Sequence, residues 1–218
     1  MHTSLVVRVL DTASRVFWRP QVLALSAASV IGGHLALAAL GAERGFWHLP
    51  PPAMALLVLV VLGQGWITLC VSATALALAR AHRAQFYARR PSIVWVPPTK
   101  AFEAGCVSLA LALPTLACLL FLIVPGLVLA LRWSQTMMVI LDGRTTWFES
   151  AEESALLTQG RRLDILLLWS LVAALFVGVA GLQVNAPPVV DSILHVGVTT
   201  FSLAVLAATY GHLTGEES

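Results

Sequence analysis

Residues 104–141, AGCVSLALALPTLACLLFLIVPGLVLALRWSQTMMVIL, decide the fold of this chain. The stretch carries one charged residue, Arg132, and is broken only by Pro114 and the pair Pro125 and Gly126. A helix needs about 20 apolar residues to cross a bilayer, so the stretch is long enough for two crossings. Pro125 lacks a backbone donor and Gly126 tolerates a tight reversal, which predicts a very short turn there. The alternative is one long helix followed by a re-entrant segment.

Apolar runs of similar length lie on both sides of this stretch. The chain is 58% hydrophobic and 11% charged, whereas soluble domains are about 25% charged. The sequence therefore predicts an all-α polytopic membrane protein with one integral membrane domain over residues 1–218. The six predicted transmembrane helices cover about 22–40, 53–79, 104–124, 126–141, 164–182 and 193–210.

The positions of the basic residues predict the topology. Eleven of the 13 lysines and arginines lie before the first run or on the connections after the second and fourth runs. Arg44 is the single basic residue on the opposite side, and Arg132 lies within a run. Since cytoplasmic loops are enriched in Lys and Arg, both termini are predicted on the cytoplasmic side. The membrane is predicted to be a bacterial inner membrane. No cleaved signal peptide is predicted, because Arg8, Asp11 and Arg15 interrupt the first residues.

Two further segments are predicted to be amphipathic helices at the membrane interface. Residues 4–18 place apolar side chains on one helical face and polar ones on the other. Residues 146–158 begin with Thr146 and Glu149 at the spacing of a capping box, and Gly160 offers a left-handed residue to end that helix. The acidic face of this second helix is either solvated or in contact with the basic residues of the 80–100 connection.

The order of small and polar residues from Ile123 to Gly160 is similar to that of a known family. An apolar-Pro-Gly step is followed by an Arg, an acidic-Gly step and an A-x-x-S-x-x-L-T-x-G segment. This pattern resembles a bacterial multi-pass inner-membrane family that includes the membrane domain fused to some glycerophosphodiester phosphodiesterases. The resemblance implies a membrane architecture without hydrolase activity, since no connection is long enough to hold the soluble domain. It marks Pro125, Gly126, Arg132, Ala151, Ser154 and Gly160.

Arg132 is the strongest candidate for a binding residue. A charge within a bilayer is costly and should face protein or water. The predicted helices hold no carboxylate at a similar depth, so Arg132 is suited to an anion such as a lipid phosphate. Gln64 and Gln135 are predicted to complete this site. The alternative is that Arg132 binds backbone carbonyls freed by a broken helix, or extends to the interface.

The remaining polar residues support no other chemistry strongly. His34 and His195, with His48 and Asp191 nearby, leave a metal or haem site as an alternative. The basic residues flank apolar runs and form no basic face, so nucleic-acid binding is not predicted. A bound metal or cofactor is not predicted either. Cys70, Cys106 and Cys118 lie in apolar runs and are interpreted as packing residues.

These observations predict a protein without enzymatic activity. The leading interpretation is a lipid-interacting scaffold or an accessory subunit of a membrane complex. Its partners would be membrane lipids and another membrane or cytoplasmic protein bound through the connections 80–100 and 143–162. The alternative is a small permease or exporter component that moves an anionic or amphiphilic substrate. A water-filled path ending near Arg132, Gln64 and Gln135 would favour transport, and a dry bundle with a lateral, lipid-facing opening would favour the scaffold.

Overall fold

In a computed structural model the regular secondary structure of the described residues is entirely helical. The model describes residues 4–39, 50–83, 93–143, 145–146, 149–183 and 187–215. The helices within these ranges are α1 (Leu5–Phe17), α2 (Pro20–Ala39), α3 (Pro51–Arg83), α4 (Pro98–Phe121), α5 (Ile123–Trp133), α6 (Thr136–Asp142), α7 (Ser150–Leu157), α8 (Arg162–Gln183) and α9 (Pro188–Thr214).

Several of the long helices begin at a proline, namely α2, α3, α4 and α9. Proline is favoured in the first helical turn because the missing N–H is not needed there. Five helical segments are long and apolar enough to cross a membrane: α3, α4, α5 with α6, α8 and α9. The apolar part of α2, Pro20–Ala36, is shorter than these five segments. The all-helical membrane class is thus confirmed with five such segments, and the sixth crossing stays a prediction.

Helix α1 packs along α9 at the core of the bundle. Its Ser4 side chain accepts a hydrogen bond from the Val7 N–H, which caps the first turn. Leu5, Val9, Ala13 and Val16 are buried. These apolar side chains therefore contact protein, and the predicted location of the helix at the membrane interface stays a prediction.

The reversal between α4 and α5 occurs at Leu122, three residues before the predicted turn. The Leu122 N–H donates to the Cys118 carbonyl at 2.6 Å, and Pro125 lies in the first turn of α5, where its missing N–H costs nothing. Gly126 serves close packing instead: a Cβ atom there would lie 2.4 Å from the Leu119 backbone nitrogen. The Pro-Gly pair is thus needed beside the turn, where α5 approaches the backbone of α4.

A break at Ser134 and Gln135 separates α5 from α6. Both helices pack along α4, which supports a hairpin in which Ile123–Asp142 crosses as one segment. The hydroxyl of Ser154, on α7, lies in the break and is fully buried. It donates to the Arg132 carbonyl at 2.9 Å and accepts from the Gln135 N–H at 3.1 Å. One side chain thus satisfies a donor and an acceptor that the break removes from the helical ladder.

The predicted helix over 146–158 is shorter in the structure, where α7 covers Ser150–Leu157. The Thr146 hydroxyl donates to the Glu149 carboxylate at 3.1 Å, so this pair does not form the predicted capping box with backbone amides. Residues 147–148, which the prediction placed on the apolar face, lie outside the described residues. Gly160 follows the helix with φ of 79°, the left-handed conformation that was predicted, and Ala151 is half-buried.

Candidate functional site

A polar cavity of about 200 Å³ lies between α2, α3 and α9. These three helices pack against one another, and all three are predominantly apolar. The cavity is nevertheless lined mainly by hydroxyl, amide and imidazole groups. Its lining residues are Ser26, Ser29, Val30, His34, Gln64, Thr68, Val71, His195, Thr199 and Leu203.

Gln64 is fixed inside this cavity by a close approach of α3 to α2. Its Nε2 donates to the Ser29 carbonyl at 3.2 Å. A Cβ atom on Gly33 would lie 1.3 Å from the same nitrogen, so a larger residue at this position would displace the Gln64 amide. Ser26 is 3% exposed, and its hydroxyl has no hydrogen-bond partner among the described residues. The cavity therefore contains one anchored amide and one unsatisfied hydroxyl.

Two histidines stand at the exposed end of the cavity. The ring centroids of His34 and His195 are 6.0 Å apart, and both side chains are exposed. His34 Nδ1 lies 3.1 Å from the Ser192 hydroxyl, which links α2 to α9 at this end. Within the described ranges no group of three His, Cys, Asp or Glu residues is placed to hold a metal ion. His48, part of the metal or haem alternative, lies outside those ranges.

A second polar cluster joins the other ends of α3, α6 and α9. The guanidinium of Arg80 donates through both terminal nitrogens to the carboxylate of Asp142, with Nη2 at 2.5 Å from Oδ2. The hydroxyl of Tyr210 donates to the same carboxylate at 2.8 Å, and the Arg80 guanidinium lies 5.7 Å from the centroid of the Tyr210 ring. Bidentate pairing and the third donor connect three helices at the buried carboxylate of Asp142.

The pairing of Asp142 with Arg80 was not predicted from the sequence. A contact between the basic connection 80–100 and the acidic face of the 146–158 helix was one of two alternatives, the other being a solvated acidic face. In the structure Glu149 and Glu152 are exposed, and Arg80 binds Asp142. The remaining part of the basic connection that the prediction used, 84–92, lies outside the described residues.

The structure separates the three residues that were predicted to form an anion site. Gln64 lines the polar cavity, whereas Gln135 is fully buried beside a small cavity of about 10 Å³ between α8 and α9. Neither nitrogen nor oxygen of the Gln135 amide has a partner among the described residues, and the space is about that of one water. Arg132 is exposed on α5 and lines neither cavity.

No protein-family model, curated protein or solved structure matches this chain. The resemblance to the membrane domain of some glycerophosphodiester phosphodiesterases therefore stays a prediction.

Proposed function

We propose that this chain is a membrane-integral protein without enzymatic activity that takes a small polar ligand into the cavity between α2, α3 and α9, as a component of a permease does. One observation carries the proposal: polar side chains from three apolar helices converge on a cavity of about 200 Å³. Polar groups within membrane helices are costly and mark substrate pathways when they face a common space. Gln64 lines this cavity, whereas Arg132 and Gln135, which the transport interpretation placed on the same path, do not.

The arrangement of the two polar features along α9 supports access from one side. His195 lies at the exposed end of the cavity and Leu203 at its inner end, about 12 Å further along the helix at 1.5 Å per residue. Tyr210 follows about 10 Å beyond Leu203 and is held by Asp142. The cavity is thus open toward the histidines and is followed, along the same helix, by the cluster that ties α3, α6 and α9 together.

The proposed placement in the membrane follows from the charge distribution. If the basic connections and both termini lie on the cytoplasmic side of a bacterial inner membrane, α2 and α9 would present His34 and His195 toward the outer surface. The Arg80, Asp142 and Tyr210 cluster would lie toward the cytoplasm. The cavity would then receive its ligand from outside, and α1 would lie along the cytoplasmic surface while it packs on α9.

Access to the cavity is tested by cysteine labelling at Thr199. In a background without Cys70, Cys106 and Cys118, Thr199→Cys should react with N-ethylmaleimide in intact membranes, because Thr199 lines the cavity and is half-buried. Ala208→Cys, further along α9 at a fully buried position, is the matched control and should react at least tenfold more slowly. Equal rates at the two positions, or no reaction at Thr199→Cys, would contradict an accessible cavity.

Arg132 favours a second function, binding of a lipid phosphate by a scaffold or accessory subunit. The exposed guanidinium follows two exposed apolar residues of α5, Leu127 and Val128, so it adjoins a surface suited to acyl chains. A guanidinium binds phosphate through two parallel hydrogen bonds. In this function the connections 80–100 and 143–162 would contact a protein partner.

Native mass spectrometry tests the lipid function. The wild-type protein in detergent should retain an anionic phospholipid, and Arg132→Ala should lose most of it because the phosphate loses its bidentate donor. Arg161→Ala, which removes an exposed arginine outside α5, should retain the lipid. If lipid is bound equally by all three proteins, or by none, Arg132 is not a phosphate site.

A further inference from the structure

We infer that the polar cavity selects an uncharged, hydroxyl-rich solute of about six non-hydrogen atoms, with Ser26 as its buried anchor. The inference rests on the proposed function, since it names the ligand class of the same cavity. It differs from the anionic or amphiphilic substrate that the sequence suggested around Arg132. Three independent features lead to it: the charge of the lining, its hydrogen-bonding capacity and the volume.

Apart from the two histidines at its exposed end, the lining contains no ionisable side chain. Its polar side chains are serines, threonines, one glutamine and two histidines, without a carboxylate, lysine or arginine. Arg80, a cation on one of the lining helices, is bound to Asp142. Transfer of an ion from water into a site without a countercharge is far more costly than transfer of a neutral polar molecule that keeps its hydrogen bonds. The cavity therefore discriminates against ions and favours neutral solutes.

The same side chains supply both donors and acceptors at close spacing. The Ser26 hydroxyl, which no described residue satisfies, offers one donor and two acceptor sites. Gln64 uses its Nε2 to bind the Ser29 carbonyl, so its Oε1 remains as an acceptor for a ligand. The Thr68 hydroxyl donates to the backbone carbonyl of Gln64 at 2.9 Å, and its oxygen can still accept a hydrogen bond from a ligand. A solute with several hydroxyl groups, each both donor and acceptor, matches this mixture.

The volume limits the ligand to a small molecule. About 200 Å³ gives room for at least six water molecules at about 30 Å³ each. A three-carbon polyol has a similar number of non-hydrogen atoms and carries a hydroxyl on every carbon. Glycerol is therefore the probe, and lactate, an anion of the same number of non-hydrogen atoms, is its charged counterpart.

Protection of Thr199→Cys from N-ethylmaleimide tests the ligand class in the full-length protein in membranes. Glycerol at molar concentration should slow the labelling at least threefold, and lactate at the same concentration should not slow it. Ser26→Ala in the same background should abolish the protection by glycerol, whereas Ser170→Ala, at an exposed position on α8, should retain it. Glu152→Cys in the same cysteine-free background controls for effects on the reagent, because Glu152 is exposed on α7 and should show no protection.

The other outcomes would refute the exclusion of charge, the polyol class, the Ser26 anchor or the accessible cavity. Equal or stronger protection by lactate would show that the cavity does not exclude charge, although it would still be an accessible cavity. Labelling of Thr199→Cys that no solute slows would refute the polyol class, and protection that survives Ser26→Ala would refute the anchor. A Thr199→Cys protein that does not react would refute the proposed function itself.

Discussion

Arg80→Met should lower the free energy of unfolding by about 3 kcal/mol, the low end of the cost of removing one partner from a buried ion pair. Asp142 is 5% exposed and loses the guanidinium that balances its charge, whereas Arg80 is 39% exposed. Asp142→Leu should therefore cost less than Arg80→Met, because the guanidinium left behind reaches water. Reversible unfolding by sodium dodecyl sulfate in mixed micelles measures both variants.

Two further proteins isolate the ion pair from other effects of substitution. The double variant Arg80→Met with Asp142→Leu should recover most of the lost stability, since apolar replacement of both partners is often close to neutral. Arg15→Met breaks an exposed pair with Asp11, in which both side chains are more than half exposed, and should cost less than about 1 kcal/mol. If Arg80→Met and Arg15→Met cost the same, the cluster does not hold α3, α6 and α9 together.

Ser154→Ala should cost about 3 kcal/mol, because it leaves two buried backbone groups without their partner. The Arg132 carbonyl and the Gln135 N–H both bind the Ser154 hydroxyl, and each unsatisfied buried group costs about 1–3 kcal/mol. The same unfolding assay measures the change. Ser108→Ala removes a hydroxyl from an exposed position on α4 and should change stability by less than about 0.5 kcal/mol. A Ser154→Ala protein as stable as Ser108→Ala would show that the break does not depend on this hydroxyl.

The membrane class and most of the helices could be predicted because they depend on local composition. An apolar run of sufficient length predicts a helix in lipid whatever its neighbours are. The Pro-Gly turn was misplaced because proline is acceptable both in a turn and in the first turn of a helix. Only the contact of Gly126 with the α4 backbone distinguishes the two positions. The role of Ser154 was equally hidden, since its partners lie about 20 residues earlier in the chain.

The candidate site was less predictable because it depends on packing between distant helices. Arg132 was predicted to bind an anion because it is a charge in an apolar stretch, yet the structure separates it from Gln64 and Gln135. Serines and threonines scattered through apolar runs suggest close helix packing when each run is considered alone. Their convergence follows from the contacts of α2 with α3 and α9. The close fit of Gln64 against Gly33 likewise has no signal in the local sequence.

The bond from Gln64 to the Ser29 carbonyl has a mechanical consequence. Because the Gln64 amide lies directly against Gly33, sliding of α3 along α2 would break that bond, which favours movement of the two helices together. Near its C-terminal end, α9 is held by the bond from Tyr210 to Asp142 and by the contact between Thr12 Oγ1 and His212 Nε2 at 3.0 Å. A motion that widens the cavity and keeps these bonds would move the other end of α9 away from α2. That motion would break the contact between His34 and Ser192.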